Sequence, residues 1–600
     1  MRENRGLITM QEYKTRSERK KAEAMKQLPN IVDEQMDILN QESPVALESP
    51  LVEIEPEEDS GNDKIVQGTF WMTFGSIFSR LLGALYVIPW NAMLGGGKEF
   101  GNALFAVGYT PYQLFLSIGT AGFPSAISKQ IAHYNAKKQY QAGQTLFKKT
   151  ALFMIGTGVV SALLMWVLAP LIAAYSPSGS VEDSTLVIRS LAPALLVVPV
   201  MSLIRGYFQG FQDMVPSAIT QVVEQIVRVA YMLLATFMVM RVFSGSVPVA
   251  VAHSTFAAFV GALASLLMLM WYYQKHMKKY RPLFEASTTT VTVDTGSAIK
   301  EMIREAIPFI VVGSGITFGK FIDQFTFEPF MLAATELDKI TIGELYGIFS
   351  FQADKLIMII ISLAVGLAAT SIPLLVENYI KQDQLVLGNQ IRKIFELFTF
   401  VMFPAALGMM VVARPIYSLF YGVSEFTPVA VNLLQIASVM SIILGAFTIT
   451  TSILQSFGKH KIAILYLGVG LVVKLVIQYP LIRIFETAGT LYATSIGFLV
   501  TTILCIIYIY KLVPFNVRGT AKNLGIISLI TGWMVATAHI THILLSTFLT
   551  SDRKITALLM VLIIAAAGGL VYIYLGLKTR VADEVLGARI SGLRNRLKTK

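Results

Sequence analysis

Three basic residues stand inside apolar runs long enough to cross a bilayer. Arg80 lies in GTFWMTFGSIFSRLLGALYVIPWNAML, Lys320 in IPFIVVGSGITFGKFIDQF and Lys355 in LYGIFSFQADKLIMIIISLAVGL. A cation at membrane depth costs about 2.5 kcal/mol or more on insertion scales, so it is kept where it faces a partner or a wet cavity. Several of them in one chain point to an interior that receives an anion. A diphosphate suits such a set, because Arg offers a bidentate fork and Lys a point charge. Internal pairing is the competing use: Asp323 follows Lys320 by one turn on the same helix face. Arg228 and Lys474 are secondary candidates. Glu224 lies one turn before Arg228, an ordinary local pair, whereas Lys474 has no acid within a turn. Asp323, Glu328 and Asp354 are candidates to bind Na⁺ or H⁺ and so couple transport to an ion gradient. Neutralisation of a nearby Lys is their alternative role, above all for Asp354 beside Lys355.

The elements that must hold these residues are membrane helices. Of the 600 residues, 54% are hydrophobic and 14% charged, against roughly 25% charged in soluble domains. Apolar windows of about 20 residues recur from about residue 66 to 577, and fourteen candidate spans are counted. The net charge of +11 fits Lys and Arg retained in cytoplasmic loops rather than a nucleic-acid site. Basic loops at 137–149, 275–281, 381–393, 459–461 and 511–522 share one side with the basic C-terminal tail, which places both termini in the cytoplasm. Residues 1–63 are polar, carry no pattern of a cleavable signal, and read as a solvated, disordered extension. The single cysteine, Cys505, excludes an intrachain disulfide and Cys-rich zinc sites. No P-loop, HExxH, CxxC or GxSxG motif is present, so neither an enzyme nor a cofactor beyond a coupling ion is expected.

The chain also repeats itself. Gln209 and Gln455, Phe211 and Phe457, and Arg228 and Lys474 are each 246 residues apart. Arg80 falls opposite Lys320 when Pro89 is laid on Pro329. The expected fold is an all-α polytopic membrane protein of fourteen transmembrane helices, with two six-helix lobes in a pseudo-twofold arrangement. The lobes would take residues 64–273 and 302–511, joined by a cytoplasmic linker at 274–301. Two extra helices in 512–577 and a basic tail at 578–600 complete it. Parallel repeats of this kind set a substrate site between two bundles that rock against each other.

Several segments resemble one known group, the MOP superfamily of flippases and exporters, in its polysaccharide-export and MurJ-type lipid II flippase branch. FSRLLG at 78–83 is similar to the first-span FSRxLG motif of that branch. QADKL at 352–356 followed by GLAATSIPLL, FPAALGMMVVARPIYSLFYG at 403–422, and GYFQGFQDMVPSAITQVVEQIVR at 206–228 resemble further stretches of it. The resemblance covers about residues 64–577. It implies a bacterial cytoplasmic-membrane protein with a central cationic cavity for the diphosphate of a polyprenyl-linked glycan, most closely lipid II, and a groove beside spans 13 and 14 for the lipid tail. Carried over by position, Arg80 and Lys355 match cavity arginines of spans 1 and 8. The second span departs from the pattern, with YQLFLSIGTAGFPS where the family has an Arg pair, and Lys320 is the candidate replacement charge. The alternatives are a capsule or teichoic-type glycan flippase, a drug/cation antiporter, and a non-transporting scaffold whose partners are cell-wall synthesis proteins.

Overall fold

Apolar runs of 25 to 35 residues leave the backbone no hydrogen-bond partner in lipid except itself, and the helix is the result. The computed structural model describes residues 82–285 and 295–586, apart from 121 and 178, together with Gly75, Phe78 and Ser79. Arg80, the 1–63 extension, part of the first span, residues 286–294 of the linker and residues 587–600 of the last tail lie outside the described residues. Every regular element among the described residues is helical.

Eleven helices are long and apolar enough to cross a membrane, and a bent pair makes a twelfth. The pair is α8 (Thr295–Gly313) and α9 (Gly315–Ala334), bent by 52° at Ser314. The expected second span is likewise broken, into α2 (Lys98–Thr120) and α3 (Phe123–Ala136), with α1 (Val87–Leu94) before it. Gly122 turns that corner at φ +81°, a conformation that costs glycine little. A Cβ there would stand 3.0 Å from the Ala306 backbone of α8.

The first half continues with α4 (Tyr140–Ala174), α5 (Val181–Gly210), α6 (Val215–Phe237) and α7 (Val247–Glu285). In the second half, α10 (Lys339–Gly347) runs through a π-helical turn (Ile348–Ala353) into α11 (Asp354–Ile380). There follow α12 (Gln384–Val411), α13 (Ala413–Tyr421), α14 (Thr427–Ser456), α15 (His460–Phe485) and α16 (Thr487–Leu512). Four pairings of the first half recur in the second. The pair α2 and α5 corresponds to α11 and α14, α4 and α5 to α12 and α14, α5 and α7 to α14 and α16, and α6 and α7 to α15 and α16. The last two spans, α17 (Val517–Ser546) and α18 (Lys554–Lys578), pack on each other and against α12 and α13. A short α19 (Val581–Leu586) closes the described chain.

One crossing shows the repeat at atomic scale. A Cβ on Gly261 of α7 would lie 2.6 Å from the Glu224 carbonyl oxygen and 2.9 Å from the Arg228 Cβ of α6. On Gly497 of α16 it would lie 2.6 Å from the Gly470 carbonyl oxygen and 2.8 Å from the Lys474 Cβ of α15. Each half therefore sets its fifth helix by backbone contact with a glycine of the sixth, and that contact fixes the direction of a basic side chain. A larger residue has no room at either place. Gly261→Val and Gly497→Val should each cost about 1–3 kcal/mol through overpacking, measured as a lower melting temperature of the purified protein. Unchanged melting of both variants would contradict the close crossing.

Candidate functional site

Charge pairing sorts the intramembrane residues into those that are satisfied internally and those that are not. Lys474 of α15 is fully buried and donates to Asp323 of α9, with Gln478 donating to the same carboxylate at 2.9 Å. Lys320 lies 2.7 Å from both carboxylate oxygens of Asp354. Glu328 pairs with the exposed Lys339 at 3.2 Å. The expected Lys320–Asp323 pair is thus replaced by two pairs between helices. The bend at Ser314 and the crossing of α15 present each acid to a different ammonium. Lys474, without an acid on its own helix, receives one from across the bundle.

Arg228 has the opposite history. Its expected partner Glu224 is engaged by Arg205 of α5, whose Nη2 donates to Glu224 at 2.8 Å and to the Ser265 hydroxyl at 3.0 Å. Arg228 instead sits over the Tyr109 ring at 5.6 Å. Lys355, one residue after the acid that holds Lys320, has its Nζ within 6 Å of four ring centroids: Tyr86 at 5.9 Å, Phe105 at 5.5 Å, Tyr109 at 5.2 Å and Phe351 at 5.4 Å. Among the described residues no carboxylate pairs with Arg228 or Lys355. Ring faces stabilise a cation without cancelling its charge.

Both free cations line the same cavity, of about 440 Å³, with Tyr86, Tyr109, Gln113 and Gln225 in its wall. Lys355 and Tyr109 also border a second cavity of about 200 Å³, which reaches Lys320 and Asp354. A small third space carries on from that pair to Asp323. The first two spaces lie between α2 and second-half helices, with α6 also lining the larger one, whereas the third lies within the second half. Buried polar contacts cross between the halves beside them. Gln324 of α9 donates to the Val107 carbonyl of α2 at 3.0 Å and to the Ser176 hydroxyl at 2.8 Å. Of the three expected anion-binding residues, then, Lys355 faces the cavity, Lys320 faces the adjoining space while held by Asp354, and Arg80 lies outside the described residues.

Against known proteins, the family described as "Polysaccharide biosynthesis protein" matches residues 65–379, and the MatE family matches residues 352–480. The lipid II flippase MurJ of Bacillus subtilis (strain 168) is 33% identical over 539 residues, covering 88% of this chain and 98% of that relative. The chain belongs to the polysaccharide biosynthesis protein family. It is also similar to the membrane protein YabM of the same organism, at 23% identity over 435 residues, 72% of this chain and 78% of YabM. Two solved structures share the fold. A lipid II flippase MurJ in an inward closed conformation gives a TM-score of 0.59 at 14% identity over 86% of this chain and 100% of that one. An inward-facing multidrug resistance MATE transporter of the MOP superfamily gives 0.57 at 13% identity, over 74% and 96%.

Reading from the sequence left out several residues that shape the site. Arg205 was hidden because its acid lies on another helix, and Tyr109, Gln113 and Gln225 because uncharged polar residues are ordinary in membrane helices. The Tyr-Thr-Pro-Tyr-Gln run at 109–113 was the available signal. Lys474→Met should leave the buried Asp323 without its ammonium and cost about 3–5 kcal/mol, seen as a drop in melting temperature in detergent. Asp323→Asn added to it should recover most of the loss. If Lys474→Met melts with the parent, the pair carries no weight.

Proposed function

We propose that this protein moves a polyprenyl-diphosphate-linked glycan, lipid II, from the inner to the outer leaflet of the bacterial cytoplasmic membrane by alternating access. The relative that supports the substrate is the lipid II flippase at 33% identity over nearly its whole length. The observation in the structure that supports the mechanism is the cavity between the halves with Arg228 and Lys355 in its wall, neither paired to an acid. A diphosphate diester carries about two negative charges, which these two cations complement by fork and point charge. In this reading Arg80 joins them from the first span, and the apolar tail stays in lipid beside α17 and α18 while the headgroup crosses. Two six-helix lobes, residues 64–273 and 302–511, rock about the cavity within a fourteen-helix whole. The loops rich in Lys and Arg face the cytoplasm, with both termini.

The cycle needs a bias toward export. Asp323, Asp354 and Glu328 are each occupied by a lysine, which favours the membrane potential over an ion bound at these acids. One charge moved through 100 mV is worth about 2.3 kcal/mol. The MatE match keeps cation exchange in view as a second reading. Such a site wants an unpaired carboxylate in the cavity, and among the described residues the cavity holds free cations instead.

Depletion of the protein in its host should lower lipid II in the outer leaflet, and wild-type protein should restore it. Lys355→Met and Arg228→Met should each restore less than about a tenth of export while inserting normally. Loss of one partner from a desolvated charge pair costs about 2–5 kcal/mol. Unchanged outer-leaflet lipid II after depletion would direct the search to another glycan, and full rescue by both variants would remove the cationic cavity from the mechanism.

A further inference from the structure

Lys355 enters the cavity wall directly after a π-helical turn. An α-helix advances about 100° per residue, and a π-turn accommodates one extra residue. If Ile348–Ala353 closed into regular α-helix, Lys355 would rotate by about that angle relative to Gly347. Gly347 itself cannot follow such a rotation freely. A Cβ there would stand 2.7 Å from the Ala103 nitrogen and 3.0 Å from its Cα, so α10 lies backbone to backbone on α2 of the other half. The π-turn is the joint between a fixed contact of the two halves and a charge in the cavity.

Two tyrosines of α13 hold that joint. The Tyr421 hydroxyl donates to the Gln352 carbonyl at 2.9 Å, and the Tyr417 hydroxyl donates to the Gln352 side-chain Oε1 at 2.5 Å. Gln352 is fully buried in the π-turn. The backbone of the same Tyr421 receives the first half: Lys98 of α2 donates from Nζ to the Tyr421 carbonyl at 2.8 Å. Lys98 also lies 3.6 Å from Glu99. Hydrogen bonds therefore link Lys98 to Tyr421 and Tyr421 to Gln352, which stands two residues before Asp354 and three before Lys355 in the chain.

We propose that Tyr417 and Tyr421 are positioning residues that tie the Lys98 contact between the halves to the direction of Lys355, so that an anion in the cavity and the closure of this end of the molecule sense each other through the π-turn. The inference deepens the alternating-access reading and rests on it. The π-turn is the two-state element such coupling requires. Linkage then demands reciprocity: whatever factor the Lys98 contact contributes to anion affinity, the anion contributes to that contact.

The test uses the full-length protein in nanodiscs with inorganic pyrophosphate as probe, binding being measured by calorimetry for the parent, Lys98→Met, Tyr421→Phe and the double variant. Tyr421→Phe keeps the carbonyl that Lys98 uses and removes only the hydroxyl on Gln352. Each single variant should weaken binding about fivefold, the worth of one net hydrogen bond. The double variant should bind no more weakly than Tyr421→Phe alone. Tyr417→Phe, as a second probe of the same joint, should likewise blunt the effect of Lys98→Met. A simple electrostatic effect of removing the Lys98 charge would persist in the Tyr421→Phe background. Losses that multiply in the double variant would therefore overturn the linkage while leaving the cationic cavity standing. Absence of Lys355-dependent pyrophosphate binding in the parent would overturn both.

Discussion

An ammonium at membrane depth without a carboxylate must be stabilised by something that leaves its charge intact, and four aromatic rings do this for Lys355. An acid in their place would meet the desolvation cost equally well, but it would also cancel the field that an anionic headgroup is to meet. Rings attract the cation through their quadrupole and leave its net charge in place. Arg228 uses the same device with Tyr109, a ring shared by both cations. The cavity is thus a space walled by rings, amides and hydroxyls with an unpaired positive field, and the rest of the charge arrangement serves to keep it so.

That arrangement is where the two halves part company. Arg228 and Lys474 occupy matching places, each pressed at its Cβ against a glycine of the next helix. Their surroundings send them to opposite ends. In the first half Arg205 takes up Glu224 and sets Arg228 free toward the cavity. In the second half Asp323 takes up Lys474, and the same position becomes a buried structural pair. A buried pair adds little net stability over apolar packing, yet breaking it is costly, so the second half is held to a single arrangement. One repeat exposes its cation and the other encloses it.

The helical, membrane-spanning character of the chain and the residues able to hold charge were legible in the sequence. Hydropathy and the repeat spacing report directly on the bilayer and on duplication. The partners of those charges were not legible. A sequence reading weighs neighbours one turn away, and here Lys320, Asp323 and Glu224 all pair with residues on other helices. The π-turn left no signal either, because Ile348–Ala353 reads as ordinary apolar helix. Its register decides that Asp354 faces Lys320 while the adjacent Lys355 faces the cavity. The break at Gly122 showed only as a glycine two residues before Pro124, a combination that membrane helices often tolerate.

At two places short residues bring the backbones of the halves close together. At one end Gly347 rests on Ala103, and toward the other Gly122 rests on Ala306. Contacts between residues this short give close approach but little buried side chain, so parting them forfeits a modest amount of dispersion. The Lys98 bond to the Tyr421 carbonyl adds a charge-assisted interaction of about 1.5–3 kcal/mol. To carry a two-state equilibrium from one side nearly to the other, a ligand must supply about 5.5 kcal/mol of differential binding. In the proposed reading, a dianion that meets two unpaired cations in a low-dielectric space is a source of that order, set against these close contacts, the Gln324 hydrogen bonds to Val107 and Ser176, and the packing of Phe351 on Trp90 and Phe105. Had the halves been joined by buried ion pairs of the Lys474–Asp323 kind, at about 3–5 kcal/mol each to break, headgroup binding could not have moved them. In the proposed cycle, the placement of the Lys474–Asp323 and Lys320–Asp354 pairs within the second half leaves the approach of the two halves free to respond to a bound anion.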